Sequence, residues 1–89
     1  MNRLEFVSKV KKLSKSCEDF NTNNAWGFGG AYGQKYEIDG AIIKIAKACF
    51  RHAKPYSFVS VETANGKRIE NPQTKKGFNV TWKFIETLL

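Results

Sequence analysis

With 89 residues, 42% of them hydrophobic and 13% aromatic, the chain has the length of one small domain and enough apolar side chains to bury a core, which excludes a largely disordered protein. Fifteen Lys and Arg against eight Asp and Glu give a formal net charge of +7, an excess that favours nucleic acid, an anionic membrane or an acidic protein surface as partner. Residues Met1 to Val10 mix Arg3, Glu5 and Lys9 with apolar positions, so neither a signal peptide nor a spanning helix is read there, and a cytoplasmic protein is expected.

Phe6, Val10, Leu13, Cys17 and Phe20 recur at steps of four and three, which predicts a first helix over about residues 3–19. Lys9, Lys11, Lys12 and Lys15 spread over its other faces as a solvated surface. Asn21, Thr22, Asn23 and Asn24 stop it, since short polar side chains compete for backbone hydrogen bonds. From Ala25 to Tyr36, Trp26, Phe28, Tyr32 and Tyr36 alternate with Gly27, Gly29, Gly30 and Gly33. Glycine permits close backbone approach, while the aromatics offer flat faces for stacking.

A second helix is predicted over about residues 39–53. Asp39 would cap it, Glu37 and Asp39 match its positive end, and Arg51, His52 and Lys54 lie near its negative end before Pro55. Ile38, Ile42, Ile45 and Cys49 would form its apolar face. Lys44, Lys47, Arg51 and Lys54 would fall inside one narrow arc opposite it, a basic stripe.

After Pro55 the period changes to two. Val59 and Val61 alternate with Ser60 and Glu62, and Asn65-Gly66 is a strong hairpin signal between strands of about residues 56–63 and 67–71. A two-residue turn would set Ile69 on the polar face. A three-residue turn with Gly66 left-handed pairs Val61 with Ile69 and Glu62 with Arg68, and is preferred. Residues 71–77 read as a polar loop. Phe78, Val80, Trp82 and Phe84 then alternate with polar residues, predicting a third strand over about residues 78–84.

The expected fold is therefore α+β: two helices joined by a Gly/aromatic loop, then a three-stranded antiparallel meander packed against them as a single domain of residues 1–89. The order of helix then hairpin over residues 39–71 resembles that of winged-helix DNA binders, in which the hairpin is the wing. An unpaired edge, on the hairpin's second strand or on the last strand, would allow a homodimer by sheet extension.

Such a fold would gather Arg51, Lys54, Lys75 and Lys76 at one end of the meander and Lys67 and Arg68 at the other. Together with the stripe these cations could follow a phosphate backbone. Lysine outnumbers arginine twelve to three, which suggests backbone contact with little reading of base sequence. The expected function is thus a small basic module binding DNA or RNA. Trp26, Phe28, Tyr32 and Tyr36 are candidates for stacking on unpaired bases, or for core residues folded back from the loop. A competing reading is a compact inhibitor or regulator of the kind made by phages and mobile elements, docking its basic face on an acidic host protein with an exposed aromatic as anchor.

Catalysis is weakly indicated. The single His52 has no serine or cysteine placed beside it by a recognisable pattern, so no enzyme is expected, a small ribonuclease using His52 being the third reading. Gly27 to Tyr32 fails the dinucleotide pattern because Tyr32 occupies the last glycine position. One histidine and two distant cysteines lack metal-ligand spacing, so no metal or other cofactor is expected. Cys17 and Cys49 read as reduced core thiols, a disulfide requiring two facing helices. The basic helices could touch an anionic membrane only peripherally, because their apolar sides serve the core.

Overall fold

In chain order, the computed structural model comprises α1 (Arg3–Leu13), β1 (Ser16–Asn21), β2 (Gly30–Ile38), β3 (Ala41–Cys49), β4 (Tyr56–Glu62), β5 (Arg68–Pro72) and α2 (Lys75–Leu88). It describes residues 1–22, 30–49 and 54–89. The strands form one antiparallel sheet in the order β1-β2-β3-β4-β5, and both helices lie on the same face of it. The class is α+β, but two helices followed by a three-stranded meander is not the arrangement.

The largest correction falls on the segment read as a second helix. Asp39 and Gly40 have φ of 48° and 83°, and Ile38 pairs directly with Ala41. Positive φ at both central residues of a two-residue loop marks a type I′ turn, whose twist matches that of the strands it joins. Asp39 thus turns a hairpin instead of capping a helix, and β3 runs through the segment expected to carry the basic stripe. β3 is the central strand. Ile42, Ile43 and Ile45 are β-branched, and Ala41, Ile43, Ile45, Ala46 and Ala48 are all buried. Such a nearly continuous apolar run fits a helical period as easily as a strand. The winged-helix likeness falls away with that helix.

α1 is shorter than expected. Asn2 caps it by accepting a hydrogen bond from the Glu5 N–H at 2.8 Å, and Phe6 and Val10 are fully buried beneath it. Ser14 then takes extended angles, and the Lys15 N–H donates to the Glu37 carbonyl at 2.8 Å, drawing the chain into the sheet. Residues 14–19 hold Ser14, Ser16, Cys17 and Asp19, all indifferent helix formers, so ladder pairing with β2 prevails there. Cys17 and Phe20 consequently point to opposite faces of β1 instead of sharing a helix seam.

The β4–β5 hairpin agrees with expectation in detail. Val61 pairs with Ile69 and Glu62 with Arg68. The Gly66 N–H donates to the Thr63 carbonyl at 3.0 Å, the Thr63 N–H to the Lys67 carbonyl at 2.8 Å, and Gly66 sits at φ 91°. This is the three-residue turn with a left-handed glycine. β5 and β1 are the sheet's edges; the expected last strand is not one of them.

Residues 75–88 form α2 in place of a strand over 78–84. Thr74 caps it, accepting from the Gly77 N–H at 3.0 Å. The alternation of Phe78, Val80, Trp82 and Phe84 is overruled by Phe78, Thr81, Ile85 and Leu88, which recur at helical spacing. Val80, inward in the strand reading, is 45% exposed. Phe78 lies 5.1 Å from the Phe6 ring and Trp82 meets Phe6 edge-on at 6.3 Å, while Tyr36, Ile43, Val59, Val61 and Ile85 complete the core. Buried Thr81 donates to the Gly77 carbonyl at 2.7 Å and accepts from Asn71 at 3.1 Å, tying α2 to β5.

At Gly77 α2 approaches β5 so closely that a Cβ there would overlap the Pro72 carbonyl oxygen. Helix propensity alone would make Gly77→Ala stabilising by about 1 kcal/mol. The overlap reverses the sign: G77A is expected to lower the midpoint of chemical denaturation.

Candidate functional site

Register decides where each expected site residue stands. Lys44 and Lys47 are three apart on a strand and so lie on opposite faces of the sheet. Lys44 is on the face away from the helices, its ammonium 5.3 Å from the centre of the Phe20 ring. Lys47 is on the helix face, at the margin where β3 ends. Arg51 lies outside the described residues, as do Trp26, Phe28 and His52. Lys44 and Lys47 therefore do not share the single face expected for the stripe of Lys44, Lys47, Arg51 and Lys54.

The other expected cations divide between the two ends of the sheet. Lys54 stands two residues before β4, and Lys75 and Lys76 open α2 just after β5, so all three belong to the margin that holds Lys47. Lys67 and Arg68 lie at the opposite margin, beside the β4–β5 turn. There Lys67 rests 5.2 Å from the Phe84 ring centre, and Arg68 pairs with Glu70 at 2.9 Å. Of the aromatics, Tyr32 is 40% exposed whereas Tyr36 is 3% exposed and belongs to the core.

Both helices begin at the Lys47 margin. Their contacts advance together, from the Met1 amine donating to Asn79 at 2.7 Å to Lys9 lying 5.2 Å from the Trp82 ring centre, so α1 and α2 run in the same direction. Their positive ends therefore add. On the sheet surface beneath them, Asn21, Tyr32, Lys47 and Ser57 form one row across four strands, and Gln73, one residue past β5, continues it beside Ser57. Gln73 fixes the end of that row. Its side-chain amide donates to the carbonyls of Ala46 at 3.0 Å and Phe58 at 2.9 Å, and its backbone N–H donates to Ser57 at 3.2 Å.

A cleft of about 280 Å³ opens here, bounded by Arg3, Tyr32, Lys47, Ser57 and Gln73. Arg3, Lys47, Lys54, Lys75 and Lys76 are all exposed. The salt bridges among the described residues, Lys35 with Glu18 and Arg68 with Glu70, lie elsewhere. Glu37, Asp39 and Glu62 stand at the far margin, joined there by Glu86 in the last turn of α2. Those carboxylates nearly match Lys11, Lys12, Lys15, Lys67 and Arg68 at the same margin, so the excess of cations is larger at the end where both helices begin. Arg3 and Gln73 were missed in the sequence, because tertiary pairing alone brings residues 3, 47 and 73 together.

The exposed charged side chains that line and flank this cleft are cationic. Among the described residues, no group of three or more His, Cys, Asp or Glu could hold a metal ion. Cys17 and Cys49 are free thiols. They face β2 from either side at Tyr36 and Gly30, six residues apart, and at about 3.3 Å per residue that distance excludes a disulfide. Cys17 is exposed on β1 and is not the expected core thiol. Among the described residues, no helix is long and apolar enough to cross a membrane. Comparisons with protein-family models, curated proteins and solved structures find no match for the chain.

Among the described residues, Tyr36 is the titratable group held away from its ordinary value. Burial pushes its hydroxyl above the ordinary value of 10.0, helped by a hydrogen bond with Cys17 and by the Cys17 charge, opposed by Arg3, with Asp19 adding least. The unfolded chain then loses the Tyr36 proton at lower pH than the folded chain. Stability from this group is retained below about pH 10 and falls as pH rises from there toward the folded-state value. Denaturant titrations across this range should show Tyr36→Phe losing less stability with pH than the unmodified protein.

Proposed function

We propose that this chain is a small binding module that engages the phosphates of a nucleic acid through the margin where both helices begin. The observation that carries this reading is uneven charge: at the helix-start end Arg3, Lys47, Lys54, Lys75 and Lys76 outnumber Glu5 and Asp19, while at the other end Lys11, Lys12, Lys15, Lys67 and Arg68 are nearly matched by Glu37, Asp39, Glu62 and Glu86. A net charge of +7 spread evenly would serve solubility alone, whereas cations gathered on two helix starts raise the local potential and attract a polyanion. Lysine predominates, and an ammonium is a point charge that meets phosphate without the fork geometry that reads guanine. Binding with little sequence preference follows.

Fluorescence anisotropy with labelled DNA and RNA over a range of salt concentrations tests this. The triple variant Lys47→Gln, Lys75→Gln, Lys76→Gln is expected to bind more weakly and to lower the slope of log K against log salt by about 0.7–0.9 for each phosphate that the variant no longer neutralises. Lys11→Gln with Lys12→Gln, at the far end of α1, should leave both unchanged. Equal effects of the two variants, or no binding by the unmodified protein at low salt, would overturn the reading. Docking on an acidic protein would then be the use left for the basic margin.

A further inference from the structure

Tyr32 stands apart from the other large side chains on the helix face of β2. Tyr36 and Ile38 are 3% and 2% exposed beneath the helices, whereas Tyr32 lies beyond the helix starts and is 40% exposed. It borders two clefts. One, toward β3, is the cationic cleft of about 280 Å³ with Arg3 and Lys47. The other, toward β1, has a volume of about 370 Å³ and is bounded by Asp19, Phe20, Asn21 and Gln34. Lys47 is the direct cross-strand partner of Tyr32, about 4.8 Å away by strand spacing.

We infer that the margin takes a single strand in preference to a duplex, with one unstacked base against Tyr32 and the adjoining phosphates at Lys47 and Arg3. The inference rests on the phosphate-binding reading and specifies its ligand. An exposed ring with space on either side suits a base, because every base has a face that stacks and the contact tolerates any sequence. A duplex keeps its bases stacked inside and would offer Tyr32 only its backbone.

Charge sets the sense of occupancy. Asp19 disfavours phosphate in the cleft toward β1, so the backbone belongs on the β3 side and the base toward β1. There Asn21 and Gln34 supply amide groups, and Gln34 already donates to Asp19 at 3.3 Å. The elements that commonly enter a duplex groove are also poorly placed. Both helices are packed on the sheet through Phe6, Val10, Phe78 and Ile85, and the β4–β5 turn lies at the margin opposite Tyr32 and Lys47, where Lys67 packs on Phe84 and Arg68 pairs with Glu70.

The test uses labelled oligothymidylate and oligouridylate about twelve nucleotides long, with a mixed-sequence duplex of equal length, titrated with the full chain at two salt concentrations. Single strands should bind more tightly than the duplex. Tyr32→Ser should weaken single-strand binding roughly fivefold or more while leaving duplex affinity and the salt slope unchanged. Tyr32→Phe should retain single-strand affinity, and circular dichroism with thermal melting checks that both variants fold. A duplex bound as tightly as the single strands, or Tyr32→Ser without effect on them, overturns this inference and leaves the phosphate reading standing. Absence of binding to every probe at low salt overturns both.

Discussion

The two-residue turn at Asp39-Gly40 is the constraint on which the rest of the structure depends. Both residues adopt positive φ, which aspartate tolerates better than most side chains and glycine accepts freely. The turn pairs Ile38 with Ala41 and so fixes the register of β2 on β3, the longest strands in the sheet. Side chains alternate between faces, so a slip of one residue would exchange every inward and outward position along both strands. Tyr36, Ile43 and Ile45 reach the core only in this register. The same register separates Lys44 from Lys47.

Once β2 and β3 are set, the helices have one place to go. The surface of Tyr36, Ile43, Val59 and Val61 must be covered, and α1 and α2 cover it with Phe6, Val10, Phe78 and Ile85. The parallel course of the helices follows from the topology. α1 enters β1 at one end of the sheet, and α2 leaves β5 at the other, so both begin at the margin of Lys47 and Gln73. Two positive helix ends and five exposed cations thereby share a boundary that no stretch of sequence encodes by itself. Of the lysines elsewhere, Lys9, Lys44 and Lys67 lie against Trp82, Phe20 and Phe84.

Turn chemistry proved a better guide than periodicity in this chain. Asn65-Gly66 and the preference for Val61 opposite Ile69 were legible because turn and alternation agreed. Asp39-Gly40 carried the same kind of signal, flanked by Tyr36 and Ile38 on one side and Ala41 and Ile43 on the other, but the surrounding charges also suited a helix start. At residues 78–84 the alternating pattern was coincidental. Thr74 as a cap and the recurrence of Phe78, Thr81, Ile85 and Leu88 pointed to a helix, and a sheet needing its second cover selected that period.

The sequence by itself determined the class, the start of α1 through Asn2, Phe6 and Val10, the β4–β5 hairpin with its register, and a net charge of +7. These rest on local physics: a cap, a period, a turn residue, a sum of charges. Tertiary structure alone decided that residues 39–49 are a strand, that residues 75–88 are a helix, and which cations lie together. Segments whose apolar positions satisfy both a period of two and a period near 3.6 have no local preference strong enough to choose, so ladder hydrogen bonds and burial against distant elements make the choice. Arg3, Lys47 and Gln73 meet for the same reason, because only the pairing of five strands and the packing of two helices brings such distant positions to one margin.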